Sequence, residues 1–310
     1  MQIQTQVLSE LPAKLPLFIN PSAGSAPAML EELRKQERLE IHEVKPADFK
    51  QALQTEIKKG TVRVLVCGGD GTLALAANTL AGTSTAMAVI AGGTLNHFAH
   101  NWGIPTELKV AVDLAFTSSQ VTAVDVGYVN EHLFLNTSSV GAYVRFVRIR
   151  ELYEQKMSYR VASVLAGFRS LLRLRSSRLY ADGVRLRSPL IFIGVRERDL
   201  SLAGLGAVHA DSQNALHVLI VKADSYWALV KMVFNLIFRG LEPVAKTEFV
   251  ESHLVDKILL DNRQSKKSIY VALDGEITLQ KTPLQYRYVK NALWVVTPES
   301  PASSLGLAQT

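Results

Sequence analysis

The sequence predicts an α/β protein in two parts: a parallel sheet with flanking helices, then a β-rich, sandwich-like domain. Three observations predict it. Short apolar strands alternate with helical patterns over the first third of the 310 residues. Turns rich in glycine or small residues follow three of those strands, at 20–25, 68–72 and 92–98. From about Val121 onward strands follow one another in succession. The first pattern is that of a sheet wound with crossover helices, the last that of antiparallel packing.

Taken in order, "LPLFIN" (15–20) is a strand that ends at "PSAGS", and "APAMLEELRKQERL" (26–39) has helical spacing. "LEIHEVK" is a second strand, and "DFKQALQTEIKKG" (48–60) is a helix closed by Gly60. "VRVLVC" (62–67) is a buried strand that leads into a helix from about Thr72 to Leu80. "TAMAVIA" (85–91) is the next strand and "ELKVAVDLAFTS" (107–118) the next helix. "AVDVGYVNEHLFLNTSSVGAY" predicts a β-hairpin turning at Asn130-Glu131. A basic, helix-patterned region covers 145–178. Strands then fall at "SRLYADGVRLR", "SPLIFIGVRE" and "ALHVLIVKA", with a helix at 225–239. "KTEFVESHLVDKILLD", "SIYVALDGEITLQ" and "LQYRYVKNALWVVTP" complete the β-rich part. The expected domains are 12–127 and 128–298, with a frayed tail at 299–310.

Composition narrows the class. With 48% hydrophobic and 20% charged residues the chain is too apolar for disorder. A formal charge of +6 favours anionic partners. The single cysteine, Cys67, cannot form an intramolecular disulfide, which points to a reducing compartment. The opening "MQIQTQVLSELP" lacks the basic-then-apolar layout of a secretory signal. No window reaches the roughly 20 apolar residues of a membrane span. A cytoplasmic protein is expected, with any membrane contact peripheral at the inner face.

Glycine-rich turns at the carboxyl ends of strands are where open α/β sheets bind ligands. Glycine lets peptide N–H groups approach phosphate oxygens, and a helix start adds partial positive charge. None of the three turns matches a P-loop or a dinucleotide fingerprint. Within "GGDGT", Asp70 has two readings. As an N-cap it is replaceable by Thr72; as a functional acid it would meet phosphate through a divalent cation, because Mg²⁺ is held by few carboxylates plus phosphate and water. Downstream, the Asp-Gly of "IYVALDGEITL" is a favoured hairpin turn in its own right, and Asp125 suits a strand start.

"NPSAG", "GGDGT", "GGTLNHFAHNWGIP", "DVGYVN", "FLNTSSVGAY" and the distant "DGE" together resemble the diacylglycerol/sphingosine lipid kinase family, most nearly its small bacterial members. The likeness runs from about Leu15 to Pro298, and GGDGT is shared with NAD kinases. The resemblance implies a nucleotide-binding α/β domain, a β-rich lipid-recognition domain, and ATP- and Mg²⁺-dependent phosphoryl transfer to the hydroxyl of a membrane lipid such as diacylglycerol. By motif position it implies nucleotide contacts at Asn20, Gly24, Gly69, Asp70, Gly71, Thr72, Gly93, Thr94 and Asn96. Asp70 and Asp125 would be the metal-linked acids, and Asp274 and Glu276 the catalytic pair.

Two departures stand out. His97 occupies the position where the family commonly has Asp after this Asn. Gln213-Asn214-Ala215 replaces an acidic run that holds a structural Mg²⁺ in relatives, so that site is not carried over. His97 and His100 lie one helical turn apart without an acidic or Cys partner, which suits a cleft or surface pair better than a metal site. Arg145, Arg148, Arg150, Arg160, Arg169, Arg173, Arg175 and Arg178 read either as a solvated basic face or as a landing surface for anionic membrane. Nucleic acid is not expected as a partner, since no aromatic-interleaved basic motif is present. The alternatives are a kinase for a soluble acceptor such as NAD and an inactive nucleotide- or lipid-binding relative. The acceptor lipid and the oligomeric state, a homodimer included, are not legible in the sequence.

Overall fold

The computed structural model describes residues 11–22, 25–141, 144, 147–149, 152–153, 177–197, 213–221, 250–262 and 267–299. Gly24, most of the basic stretch, the helix expected at 225–239 and the terminal tail lie outside the described residues. The chain divides into two compact units, one of residues 1–126 and 289–310, the other of residues 127–288.

In the first unit β1 (Leu15–Ile19), β2 (Leu39–Glu43), β3 (Arg63–Gly68) and β4 (Ala86–Ala91) pair in parallel in the order β2-β1-β3-β4. The C-terminal part of the last strand, β16 (Leu284–Val296), adds itself beside β4, also in parallel, through Val295 and Met87. β1, β3 and β4 are buried along their whole length, as strands covered on both faces must be. Helices α1 (Ala26–Leu33) and α5 (Leu108–Thr117) cover one face, packing Leu30, Leu33, Ala111 and Val112 on Leu17, Leu65 and Ile90. On the other face Phe18 meets Phe49 of α2 (Phe49–Lys58) at a ring separation of 6.3 Å, and α2 packs on α3 (Asp70–Leu80).

Helix α1 is shorter than its periodicity suggests. The chain leaves it at Leu33 so that Arg38 can present its carbonyl to the Leu15 amide at 3.0 Å and β2 can begin. Conversely α3 starts two residues before Thr72, with Gly69 in the N-cap position. Arg63 is fully buried at the start of β3. Its guanidinium donates to the carbonyls of Ala115 and Ser118, which closes the C-terminal end of α5, and burial lowers its pKa to about 10.

The second unit holds two sheets. In one, the N-terminal part of β16 pairs with β13 (Lys257–Asp261), which pairs with β8 (Ser177–Ala181) and through it β9 (Val184–Ser188). A hairpin of the end of β5 (Val121–Val129) with β6 (His132–Phe134) turns at Asn130-Glu131, as expected. Arg178 lies in β8, so the helical pattern does not extend to it. The other sheet is antiparallel throughout. Its strands are β12 (Val250–Val255), β11 (Leu216–Val221), β10 (Leu190–Val195), β7 (Thr137–Gly141), β14 (Ser268–Leu273) and β15 (Glu276–Lys281), in that spatial order. "KTEFVESHLVDKILLD" is thus two strands, broken at Asp256. Val140, Ile191, Ile193, Val218, Val271 and Leu273 of this sheet share a core with Phe134, Ile258, Leu260 and Tyr286 of the first, which makes the unit a sandwich.

Candidate functional site

The strand order of the first unit reverses between β1 and β3, and ligands of open α/β sheets bind outside the carboxyl ends at such a point. The loops after β1, β3 and β4 all emerge there, and they are tied to one another. Ser25 Oγ donates to the Gly92 carbonyl at 2.6 Å. A Cβ on Gly93 would stand 2.6 Å from the Gly69 Cα, and one on Gly69 would stand 3.1 Å from the Gly93 Cα. The second and third loops therefore touch backbone to backbone, which demands glycine at 93 and leaves little room for a side chain at 69, whether or not a phosphate is bound. Gly68 is equally constrained, because its missing Cβ is replaced by the Thr72 side chain, 2.5 Å from the ideal position.

Asp70 sits in the first turn of α3, where an acid complements the helix dipole. Its carboxylate does not cap α3. Oδ2 accepts from the His97 amide at 3.0 Å and Oδ1 from the Phe98 amide at 2.9 Å. These are the first amides of the short helix α4 (His97–Asn101), so Asp70 caps the helix that follows the next loop. What position 97 contributes to this bond is its backbone, which His supplies as well as Asp. Asn96 is left-handed (φ +50°) and accepts from the Gly93 N–H at 2.8 Å while donating to the Gly93 carbonyl at 2.9 Å. It braces the loop from within. Asn20 does the same for the first loop, accepting from the Ser22 amide at 3.1 Å. Thr94 and His97 are exposed, Gly71 and Thr72 half-buried. The His100 ring nitrogen Nδ1 lies 3.1 Å from the Leu95 carbonyl.

Asp125 is buried, and its Oδ1 accepts the Asn291 amide at 2.8 Å. Asn291 has a φ of +51° inside β16, so the carboxylate holds the amide of a left-handed residue in that strand. Among the described residues no group of three or more His, Cys, Asp or Glu is placed to hold a metal ion. Gln213 and Asn214 are exposed and bring no carboxylate to their turn.

In the second unit Asp274 and Gly275 form the two-residue turn between β14 and β15, with φ of +46° and +90°. The Asp274 amide donates to the Thr137 carbonyl at 2.8 Å, and the Thr137 amide returns to its Oδ1 at 2.9 Å. Two other hairpins are docked in the same way. Asn130 exchanges this pair of bonds with Gln285, at 2.9 and 3.0 Å, and Asp182 exchanges it with Leu259, both at 2.9 Å. Asp274 differs in accepting two more amides, from Asn136 to Oδ1 and Leu135 to Oδ2, both at 2.7 Å. "FLNTSSVG" and "DGE" are thus one structural object. Glu276 is exposed at the start of β15, opposite Leu273.

Sequence reasoning picked out Asp70 and Asp274 but not the amides that they hold. It also missed Ser25, whose place before "AP" reads as a plain N-cap, and Arg63, whose position in an apolar strand was the available signal.

Residues 14–129 match the diacylglycerol kinase catalytic domain. A diacylglycerol kinase of Mycobacterium tuberculosis is 27% identical over 230 residues, covering 67% of this chain and 71% of that protein. A protein of Klebsiella pneumoniae named "Probable lipid kinase YegS-like" is 30% identical over 142 residues, 43% of this chain and 47% of its own length. The crystal structure of a diacylglycerol kinase from Bacillus anthracis shares the fold with a TM-score of 0.65 at 21% identity, over 93% of this chain and 98% of that one.

Proposed function

Because this chain belongs to the family of the diacylglycerol kinase catalytic domain, we propose that it transfers the γ-phosphate of ATP to a hydroxyl of a membrane lipid such as diacylglycerol. The observation that carries the proposal is the interlocked set of glycine loops at the β1/β3 switch point, fastened by Asp70. Backbone packed this closely leaves N–H groups to face phosphate oxygens without intervening side chains. The family is one of kinases with an alcohol acceptor, and phosphoryl transfer asks a protein mainly for positioning and charge neutralisation.

In this scheme the loops of Asn20, Gly69, Gly71, Thr72, Gly93 and Thr94 cradle the phosphates, and Asn96 keeps the third loop in shape. The cradle suits a Mg²⁺-nucleotide, since a carboxylate oxygen that accepts one amide keeps a second lone pair for a metal-bound water. Asp70 would hold that water, with Asp125 the second candidate; bound Mg²⁺ would supply neutralising charge at the phosphates. Asp274 would accept the lipid hydroxyl. Three amide donors stabilise its anionic form, which suits orienting the acceptor better than strong proton abstraction. Glu276 would assist from the next position of the hairpin.

The test is incubation of the purified protein with ATP, Mg²⁺ and a panel of lipids in detergent micelles, with NAD as the soluble acceptor, read by mass spectrometry. A phosphorylated lipid is expected. Phosphorylation of NAD alone, or ATP binding by calorimetry with no turnover on any acceptor, would overturn the proposal.

A further inference from the structure

The β14–β15 hairpin has two unlike faces. Val271, Leu273 and Gln280 turn inward and are buried, the first two in the sandwich core. Alternation sends Ser268, Tyr270, Ala272, Ile277, Leu279 and Lys281 to the opposite face. There Tyr270 and Leu279 are direct cross-strand partners, yet they are 46% and 59% exposed. Among the described residues β15 is also the edge strand of its sheet. An exposed aromatic–aliphatic pair on an edge strand is a liability unless something covers it.

Among the described residues the charge around the pair is of one sign. Lys281 lies opposite Ser268, and Lys267, also exposed, precedes it. The Arg148 guanidinium stands over the Tyr270 ring at 4.7 Å from its centroid, and Leu152, four residues on, is 63% exposed. Neither strand places a carboxylate on this face, because Glu276 falls on the inward-alternating side.

We propose that this face of the β14–β15 hairpin, with Arg148 and Leu152, is a docking surface for an anionic lipid bilayer. The inference rests on the lipid-kinase reading above and gives it a place of contact. Tyr and Leu suit the boundary between headgroups and acyl chains, and Lys and Arg stems lie along apolar surface while their charges reach lipid phosphates. A second copy of this chain fits less well. Neither strand of the hairpin brings a carboxylate to this face that could meet Lys281, Lys267 and Arg148 of a partner copy. The surface joins Arg148, from the expected basic stretch, to the exposed face of the hairpin.

Flotation of the full-length protein with phosphatidylcholine vesicles, with and without phosphatidylglycerol, tests the proposal. The wild type floats with the anionic vesicles at low salt and is released at high salt. Leu279→Asp lowers the bound fraction at least tenfold, and Lys281→Ala about fivefold, the effect of one basic residue near a charged membrane. Both side chains are exposed, so thermal melting should match the wild type; if Leu279→Asp unfolds, Lys281→Ala still decides. Equal flotation of wild type and both variants would overturn the proposal. So would flotation unchanged while Leu279→Asp splits a dimer on a sizing column. Turnover on short-chain diacylglycerol in detergent separates this from the kinase reading. Loss of vesicle binding with that turnover intact supports the surface; no turnover by the wild type on any lipid sinks the kinase and leaves the flotation result standing.

Discussion

A carboxylate inside a glycine loop proposed to cradle phosphate has to be neutralised, and in this protein the backbone amides of His97 and Phe98 hold Asp70. Replacing it by Ala leaves the His97 and Phe98 amides without their acceptor, a cost of about 1–3 kcal/mol. His97→Ala keeps the backbone bond and should change stability by less than about 0.5 kcal/mol. Urea unfolding of the two variants without nucleotide checks the contrast; equal losses would mean that the His97 side chain matters. Cys67, one residue before the glycines, is fully buried, and burial pushes its thiol from 9.0 up to about 12. The native protein should therefore resist iodoacetamide at pH 8 and react only when unfolded, as mass spectrometry would show. The neutral buried thiol contributes stability below about pH 9 that is lost as pH rises toward 12. Both acids were legible in the sequence as chemistry, and their partners were not. Asp70 reaches amides 27 and 28 residues away and Asp274 amides 137 to 139 away. Backbone donors have no residue identity to read at such separations.

At the scale of elements, the glycine loops and the docked hairpins separate what the fold needs from what catalysis needs. Gly93→Ala forces a methyl into the Gly69 backbone, where nothing flexible can give way. Overpacking of this kind costs about 1–3 kcal/mol, so the ligand-free protein should lose stability as well as nucleotide affinity. Thermal melting without nucleotide is the check, and an unchanged melting temperature with weakened ATP binding would assign the glycine to phosphate alone. The three Asx hairpins provide an internal control for Asp274. Asp182→Ala removes one amide acceptor and should cost about 1 kcal/mol with turnover on detergent-dispersed lipid retained. Asp274→Ala removes three and should cost more, about 2–4 kcal/mol, with turnover abolished. If Asp274→Ala were destabilised but fully active, the residue would be a hairpin dock and nothing more. Strand and hairpin positions were legible because apolar alternation and Asn/Asp turns act locally. Helix α1 was not legible to its end, because its stop is set by the pairing of Arg38 with Leu15 rather than by a breaker residue.

At the scale of the whole molecule, two strands run through both units. β5 passes from one to the other at Val126, and β16 passes back at Tyr288. The alternating pattern of "LQYRYVKNALWVV" reads as a strand throughout. Periodicity carries no mark of the change of partner from β13 to β4, which Asn291 and its bond to Asp125 accompany. The first unit is therefore incomplete without the far end of the chain. Leu293, Val295 and Val296 are buried in it, and burying three such side chains is worth about 1.5–3 kcal/mol each. The total, about 5–9 kcal/mol, matches the whole stability of an ordinary domain. A chain ending at Tyr288 keeps every glycine loop and both Asp70 and Asp274, yet its first unit should fail to fold and ATP binding should vanish. A chain ending at Glu299 retains the strand and the contacts of Ser118 and Ser119 with its last residues, and should melt like the full protein. Circular dichroism melts and calorimetric titration with ATP on the two truncations decide the matter. Nucleotide binding by the chain ending at Tyr288 would show that β1 to β4 and their helices suffice, and that the returning strand is an accessory rather than part of the nucleotide-binding unit.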